Sequence, residues 1–207
     1  TNVTAGRGVR YHSVVYWDGK LYKIGGDNGA AQPWLDIYDI ATDTWSAGAD
    51  MPAARHYISC EAIAGKTYCA GGYTTSGQTT LYIYDIAGNS WSTGAALPAA
   101  RYDYASAQVG GKYYVIGGYT TASQATMLAY DPTTDTWDTT LPSMSVARRY
   151  AHSGVIGGKI YVAGGYSTVA LASVEVYDPV ANTCSPATSM ASVWGLAADG
   201  DVDARFR

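Results

Sequence analysis

The chain has 207 residues, a formal charge of −4 and a pI near 5.2, so it offers no basic field for a phosphate backbone, and nucleic acid is not an expected partner. Hydrophobic residues make up 47%, enough for a sizeable core, but there is neither an apolar run long enough to cross a bilayer nor a charged-then-apolar leader, so no membrane partner is expected. Tyr outnumbers Phe 19 to one and Asp far outnumbers Glu (Glu61 and Glu175 alone), a balance that leans toward an all-β protein of an extracellular or periplasmic compartment.

Residues 1–9 read as a small, polar lead-in. Arg10 to Trp17 reads as a strand that turns at Asp18-Gly19, a pair suited to the positive φ of a type I′ hairpin, into a second strand, LYKI, ending at Gly25-Gly26. A loop leads to a third strand, LDIY, closed by Tyr38-Asp39, then to an Asp-bearing turn and a fourth strand carrying Trp45. The same succession returns three times. The double glycines begin at Gly25, Gly71, Gly117 and Gly164, in steps of 46, 46 and 47 residues. A lysine stands five residues before each pair (Lys20, Lys66, Lys112, Lys159) and a tyrosine three before (Tyr22, Tyr68, Tyr114, Tyr161). Tyr38, Tyr84, Tyr130 and Tyr177 follow at one interval, each with Asp beside it, and then Trp45, Trp91 and Trp137, replaced by Cys184 in the fourth copy. A fixed period of this length marks a solenoid or propeller, and the β-branched and aromatic strands TYCA, YYVI, IYVA, LYIY and VEVY suit a pleated surface. Nothing reads as helix. The repeats run about 9–54, 55–100, 101–147 and 148–190 in one domain spanning 1–207. Residues 191–207 match only through Asp199-Gly200, a degenerate partial repeat.

An apolar strand ending in Gly-Gly, then Tyr-Asp, then Trp, then an Arg-bearing connection resembles the kelch repeat from residue 9 to about 190. The resemblance implies an all-β, kelch-type β-propeller of four four-stranded blades plus a partial fifth repeat, with strands running in order from the central channel to the rim. Kelch propellers usually have six or more blades, though four to eight are known among propellers generally. Closure therefore has three routes: a four-bladed ring clasped by the tail, an open arc of a larger ring, or two chains completing one ring. An arc would expose apolar blade faces and favour self-association through open blade edges.

The resemblance also places ligands on the face built from the loops after the second strands and the connections between blades. There it sets Tyr73, Tyr119 and Tyr166 just after the double glycines, with Asp27 in the first copy. Arg55, Arg101 and Arg148 fall 16 residues before the glycines, with Tyr57, Tyr102 and Tyr150 beside the channel mouth. Arginine forks match carboxylates and tyrosine gives flat contact area at low entropic cost, so the expected role is a ligand- or protein-binding module for an acidic peptide or a glycan. In the competing reading the arginines only bond carbonyls of the next blade. The repeated aspartates after the third strand are turn formers. His12, His56 and His152 fall out of register, so no metal or other cofactor is expected. A secreted carbohydrate-active enzyme resembling kelch-like oxidases or mutarotases is the rival, with Asp103 and Glu61 the carboxylates able to reach the channel. No catalytic residue is assigned. A third reading is an excised or artificial repeat scaffold without ligand. Finally, a two-residue turn at Ala64-Gly65 sets Cys60 directly opposite Cys69 as a non-hydrogen-bonded pair, Cα atoms about 4.5 Å apart. A disulfide is allowed there and would imply an oxidising compartment, the alternative being two packed thiols. Cys184 has no partner.

Overall fold

A computed structural model describes residues 7–192, and these form sixteen strands with no helix among them. The first blade comprises β1 (Ser13–Trp17), β2 (Lys20–Ile24), β3 (Leu35–Asp39) and β4 (Thr44–Ala47). The second holds β5 (Cys60–Ile63), β6 (Lys66–Ala70), β7 (Leu81–Asp85) and β8 (Ser90–Gly94). The third holds β9 (Ala105–Val109), β10 (Lys112–Ile116), β11 (Met127–Asp131) and β12 (Thr136–Asp138), and the fourth β13 (His152–Ile156), β14 (Lys159–Ala163), β15 (Val174–Asp178) and β16 (Thr183–Ala187). Each blade is an antiparallel sheet in chain order, the all-β propeller architecture read from the repeat. The partial fifth repeat falls beyond residue 192 and lies outside the described residues.

Both faces of a central blade are apolar because each packs on a neighbour. Val15, Tyr22, Ile24 and Leu35 of blade 1 meet Cys60, Cys69, Tyr82 and Tyr84 of blade 2. Ala70 and Leu81 meet Tyr113, Val115 and Tyr130 of blade 3, and Ile116 and Met127 meet Ile160, Val162 and Tyr177 of blade 4. Cys60 faces Cys69 across the β5–β6 hairpin, their Cα atoms 4.5 Å apart and their sulfurs bonded. Cys184 is free and half-buried.

Three hydrogen-bonded contacts recur from blade to blade. At the channel, the N–H of Tyr57 donates to Tyr11 C=O, that of Asp103 to Tyr57 C=O, and that of Tyr150 to Asp103 C=O. All four residues sit at positive φ, between 53° and 57°, a strained choice for bulky side chains that repeats because it turns each connection into this backbone hoop. Farther out, the N–H groups of Gly26, Gly72 and Gly118 donate to the carbonyls of Arg55, Arg101 and Arg148 in the following blade. Here glycine is required: at Gly72, φ 81°, a Cβ would stand 2.0 Å from Ile58 Cγ2. At the rim, Trp91 Nε1 donates to Ala49 C=O while Asn89 Oδ1 accepts from Ala49 N–H. Trp137 and Asp135 hold Ala95 in the same way. Blade 4 has Cys184 for the tryptophan and meets Leu141 instead, and Glu175 takes over by accepting from the N–H of Ser145 at 2.6 Å.

The inner strands pack β1 on β5, β5 on β9 and β9 on β13. At the two ends of this series the inner edges are open, with Val14 53%, Tyr16 62%, Val155 43% and Ile156 67% exposed. Among the described residues the end strands β1 and β13 do not pack on each other, and the tail that the first closure route uses as a clasp lies outside them.

Candidate binding face and channel mouth

Each connection between blades offers two successive places before the hoop. The guanidinium groups of Arg55, Arg101 and Arg148 occupy the first, buried place, at 5%, 5% and 0% exposure, so they are not on the ligand face where the sequence reading set them. Arg101 donates to Gly117 C=O at 2.8 Å and to Thr126 Oγ1. Arg148 donates to Gly164 C=O, to Ser173 C=O and to Glu175 Oε1 at 2.7 Å. Arg55 bonds Ala54 C=O at 2.8 Å and stands over the Tyr82 ring. The physical reason is that each arginine joins two blades: its C=O accepts from one and its side chain donates into the next. In blade 1, where Val9 holds this place, Arg7 and Lys23 share buried Asp36 instead.

The second place is exposed at Arg10, half-buried at Tyr102 and Arg149 and buried at His56, and its backbone bridges to the residue after the double glycine: Arg10 to Asp27, His56 to Tyr73, Tyr102 to Tyr119 and Arg149 to Tyr166. These side chains form a continuous ladder. His56 stacks on Tyr73 at 5.5 Å between centroids, Tyr73 meets Tyr102 at 4.9 Å, and Tyr102 meets Tyr119 at 5.5 Å. The Arg149 guanidinium then lies 4.6 Å from the Tyr119 ring centroid, 5.1 Å from that of Tyr150 and 5.5 Å from that of Tyr166. The candidate tyrosines Tyr73, Tyr102, Tyr119 and Tyr166 thus line this ladder, while Tyr57 and Tyr150 belong to the hoop below it, 6.4 Å apart. Arg149 was not singled out from the sequence, and His56 and Arg10 were not read there as face residues, although all three are signalled by standing one residue after the repeated arginine place.

Charge divides the face. Arg10 pairs with Asp27 at 3.3 Å, and Asp27 is held below the usual carboxylate range: burial works the other way but is outweighed by the Gly29 amide, Arg10 and His56. Burial lowers the pKa of His56, against the opposing pull of Asp27. Among the described residues Arg149 makes no ion pair, and its Nε is buried without a hydrogen-bond partner.

Below the ladder a cavity of about 700 Å³ runs along the inner strands, lined by Ser13, Ser59, Ser106 and Ser153 hydroxyls with Glu61 and Asp103. Asp103 takes the hoop place that is Tyr in the other three blades. Burial pushes its carboxyl up to about 7, against the opposing pull of the Tyr150 hydroxyl and Arg149. Glu61 is likewise raised by burial and accepts a hydrogen bond from Ser106 Oγ at 2.7 Å. His12 lies elsewhere along the channel with its pKa lowered by burial and by Lys23. Among the described residues no three His, Cys, Asp or Glu side chains converge as a metal site would need.

A family model described as the KLHDC2/KLHL20/DRC7 Kelch-repeats domain matches residues 11–192. An F-box/kelch-repeat protein of Arabidopsis thaliana is 44% identical over 36 residues, 17% of this chain and 10% of that protein. The match thus spans a small part of the relative. The solved structure of YjhT superposes with a TM-score of 0.81 over 91% of this chain and 67% of its own, at 17% identity, a likeness of fold alone. The period, the double glycines and the blades agree with the family match, and the chain belongs to the kelch-repeat family, whose propellers serve in general as protein-binding modules.

Proposed function

We propose that this domain binds a partner protein through an acidic segment laid along the aromatic ladder, with a carboxylate seated on Arg149. The observation that supports it is the state of that guanidinium: stacked among three tyrosines and, among the described residues, without an ion pair and with one donor buried and unpartnered. An arginine held by its faces keeps its in-plane N–H groups free for a bidentate acceptor. Arg10, already neutralised by Asp27, lacks that freedom. A glycan is the second reading, favoured by the hydroxyl-lined cavity beneath the tyrosines. The test is a screen of acidic peptides, their neutral counterparts and glycans, followed by fluorescence titration of the hits. Arg149→Ala should weaken a peptide hit at least about tenfold, and Tyr119→Ala similarly, while Arg10→Ala leaves it nearly unchanged. Binding should also weaken as salt rises. A screen in which acidic peptides do no better than neutral ones would sink the reading, and glycan hits alone would install the second.

A further inference from the structure

The hoop beneath the ladder is aromatic except at one place. Tyr11, Tyr57 and Tyr150 line the channel cavity, with ring centroids 4.3 Å apart for the first two and 6.4 Å for the last two. Asp103 stands between Tyr57 and Tyr150: its N–H donates to Tyr57 C=O and its C=O accepts from Tyr150 N–H, so chain bounds it on both sides. Its side chain lines the same cavity at 7% exposure, and Oδ1 has no hydrogen-bond partner among the described residues. A buried carboxyl in this condition is costly to ionise unless something supplies donors.

The wall below the hoop is short of donors too. Ser106 Oγ donates to Glu61 Oε1 at 2.7 Å, so the Ser59–Ser106 bond, also 2.7 Å, takes its hydrogen from Ser59. Ser153 Oγ donates to Ser106 C=O. These three hydroxyl hydrogens are all turned onto the protein, and what the serines can still offer is lone pairs. Of the four serines lining the cavity, Ser13 alone, whose Oγ accepts from Cys60 N–H, keeps a hydrogen to give. Burial of Glu61 is opposed by the Ser106 hydroxyl and by no cation among the described residues. The cavity thus presents acceptors without a matching positive charge.

We propose that the channel mouth binds an alkylammonium group, its N–H donors on the Asp103 carboxylate, its methylenes against the rings of Tyr57 and Tyr150, and the acceptors of Ser59 and Glu61 deeper in the channel. An ammonium is all donor, and aromatic faces attract it. A divalent metal fits less well, since it needs several oxygen ligands at once and no three Asp, Glu, His or Cys side chains converge among the described residues. The site takes the charge opposite to the one proposed for Arg149, and that guanidinium, acting on Asp103 from the ladder side, works against a cation here.

NMR titration of the 207-residue chain with n-butylammonium, the amide of Nα-acetyl-lysine and neutral n-butanol, at fixed ionic strength, tests this. Tyrosine ring signals should move with both ammonium compounds and not with butanol. Tighter binding of the lysine amide would mark a protein side chain as the source, and tighter binding of butylammonium a free amine. Asp103→Asn should weaken either at least about tenfold, whereas Arg149→Ala should tighten both while it weakens an acidic peptide. The groups that act on or are acted on by Asp103 are Tyr150 and Arg149 from blade 4, Tyr57 from blade 2 and Tyr102 beside it. Because the Asp103 carboxyl titrates at about 7, affinity in the wild type should rise at least about tenfold from pH 6 to pH 8. His12 and His152 line the same cavity, and their protonation in acid would act in the same direction. Butanol bound as readily as butylammonium overturns the proposal, and so does an Asp103→Asn chain that keeps the ammonium. If that variant fails to fold, a wild-type affinity that is flat between pH 6 and pH 8 overturns it equally.

Discussion

Asp103 shows how one substitution within a repeated framework changes the physics of its place. Its backbone does what Tyr11, Tyr57 and Tyr150 do, at φ 55° and within the same hoop. Its side chain, however, is a carboxyl at 7% exposure whose Oδ1 finds no partner. Because burial raises its pKa to about 7, the folded chain keeps a proton that the unfolded chain gives up near the ordinary carboxylate value. Its contribution to stability is therefore largest in acid, falls as pH rises through the window between the two values, and is fully lost above about 7. Comparing wild type with Asp103→Asn by chemical denaturation at pH 5 and pH 8, the wild type should lose on the order of 2 kcal/mol more across that interval. Parallel pH profiles would show that the carboxyl titrates normally. The residue scale is also where the sequence was least legible. Side chains alternate sides along an extended connection, so a one-residue step from Arg148 to Arg149 moves a guanidinium from the core to the face. Two adjacent arginines in a repeat do not say which is which. The burial of Arg148 against Glu175 and the openness of Arg149 are decided by the distant strands that surround them.

At the scale of the element, the hairpins were legible because their turn chemistry and period are local. Asp18-Gly19, Ala64-Gly65, Gly110-Gly111 and Gly157-Gly158 all adopt positive φ, and the register that follows places Cys60 on Cys69. The tyrosine ladder was partly legible, since Tyr73, Tyr119 and Tyr166 keep one place in the repeat. Its continuity depends on His56, Tyr102 and Arg149, which share a place but not a residue type, and so leave no repeating letter. The strand-end tryptophans, legible as one repeated letter, act between blades at Trp91 and Trp137 through hydrogen bonds as well as packing. Trp91→Phe keeps most of the ring area and removes the Nε1 donor to Ala49 C=O, and it should cost about 1–2 kcal/mol in urea denaturation. The same change at Trp45, which has no such acceptor among the described residues, should cost much less when both are measured at a concentration too low for association. Equal losses would mean that the ring alone matters.

Over the described residues, strands pack only on those of adjacent blades, the approach of Tyr57 and Tyr150 across the channel aside, so stability is close to a sum of blade and interface contributions. Among the described residues blades 2 and 3 have an interface on both faces and blades 1 and 4 on one. Native-state hydrogen exchange on dilute protein should therefore find the slowest amides in β6 and β10 and faster exchange in β14 and β15, where Cys184 also replaces the rim tryptophan. Uniform protection across the four blades would instead describe a single cooperative unit. The first glycine of three of the pairs shapes the arc itself. A Cβ on Gly25, Gly71 or Gly117 would stand 2.5, 2.3 and 2.5 Å from the carbonyl oxygens of Arg55, Arg101 and Arg148, always in the connection that leads into the following blade. These three bare α-carbons act as a spacing gauge. They let successive sheets close together at the inner radius while the rim is held apart by indole rings, and that difference in thickness is curvature. A methyl group at any one of them would wedge a single joint open and straighten the arc there, so the radius of the propeller is written in side chains that are missing.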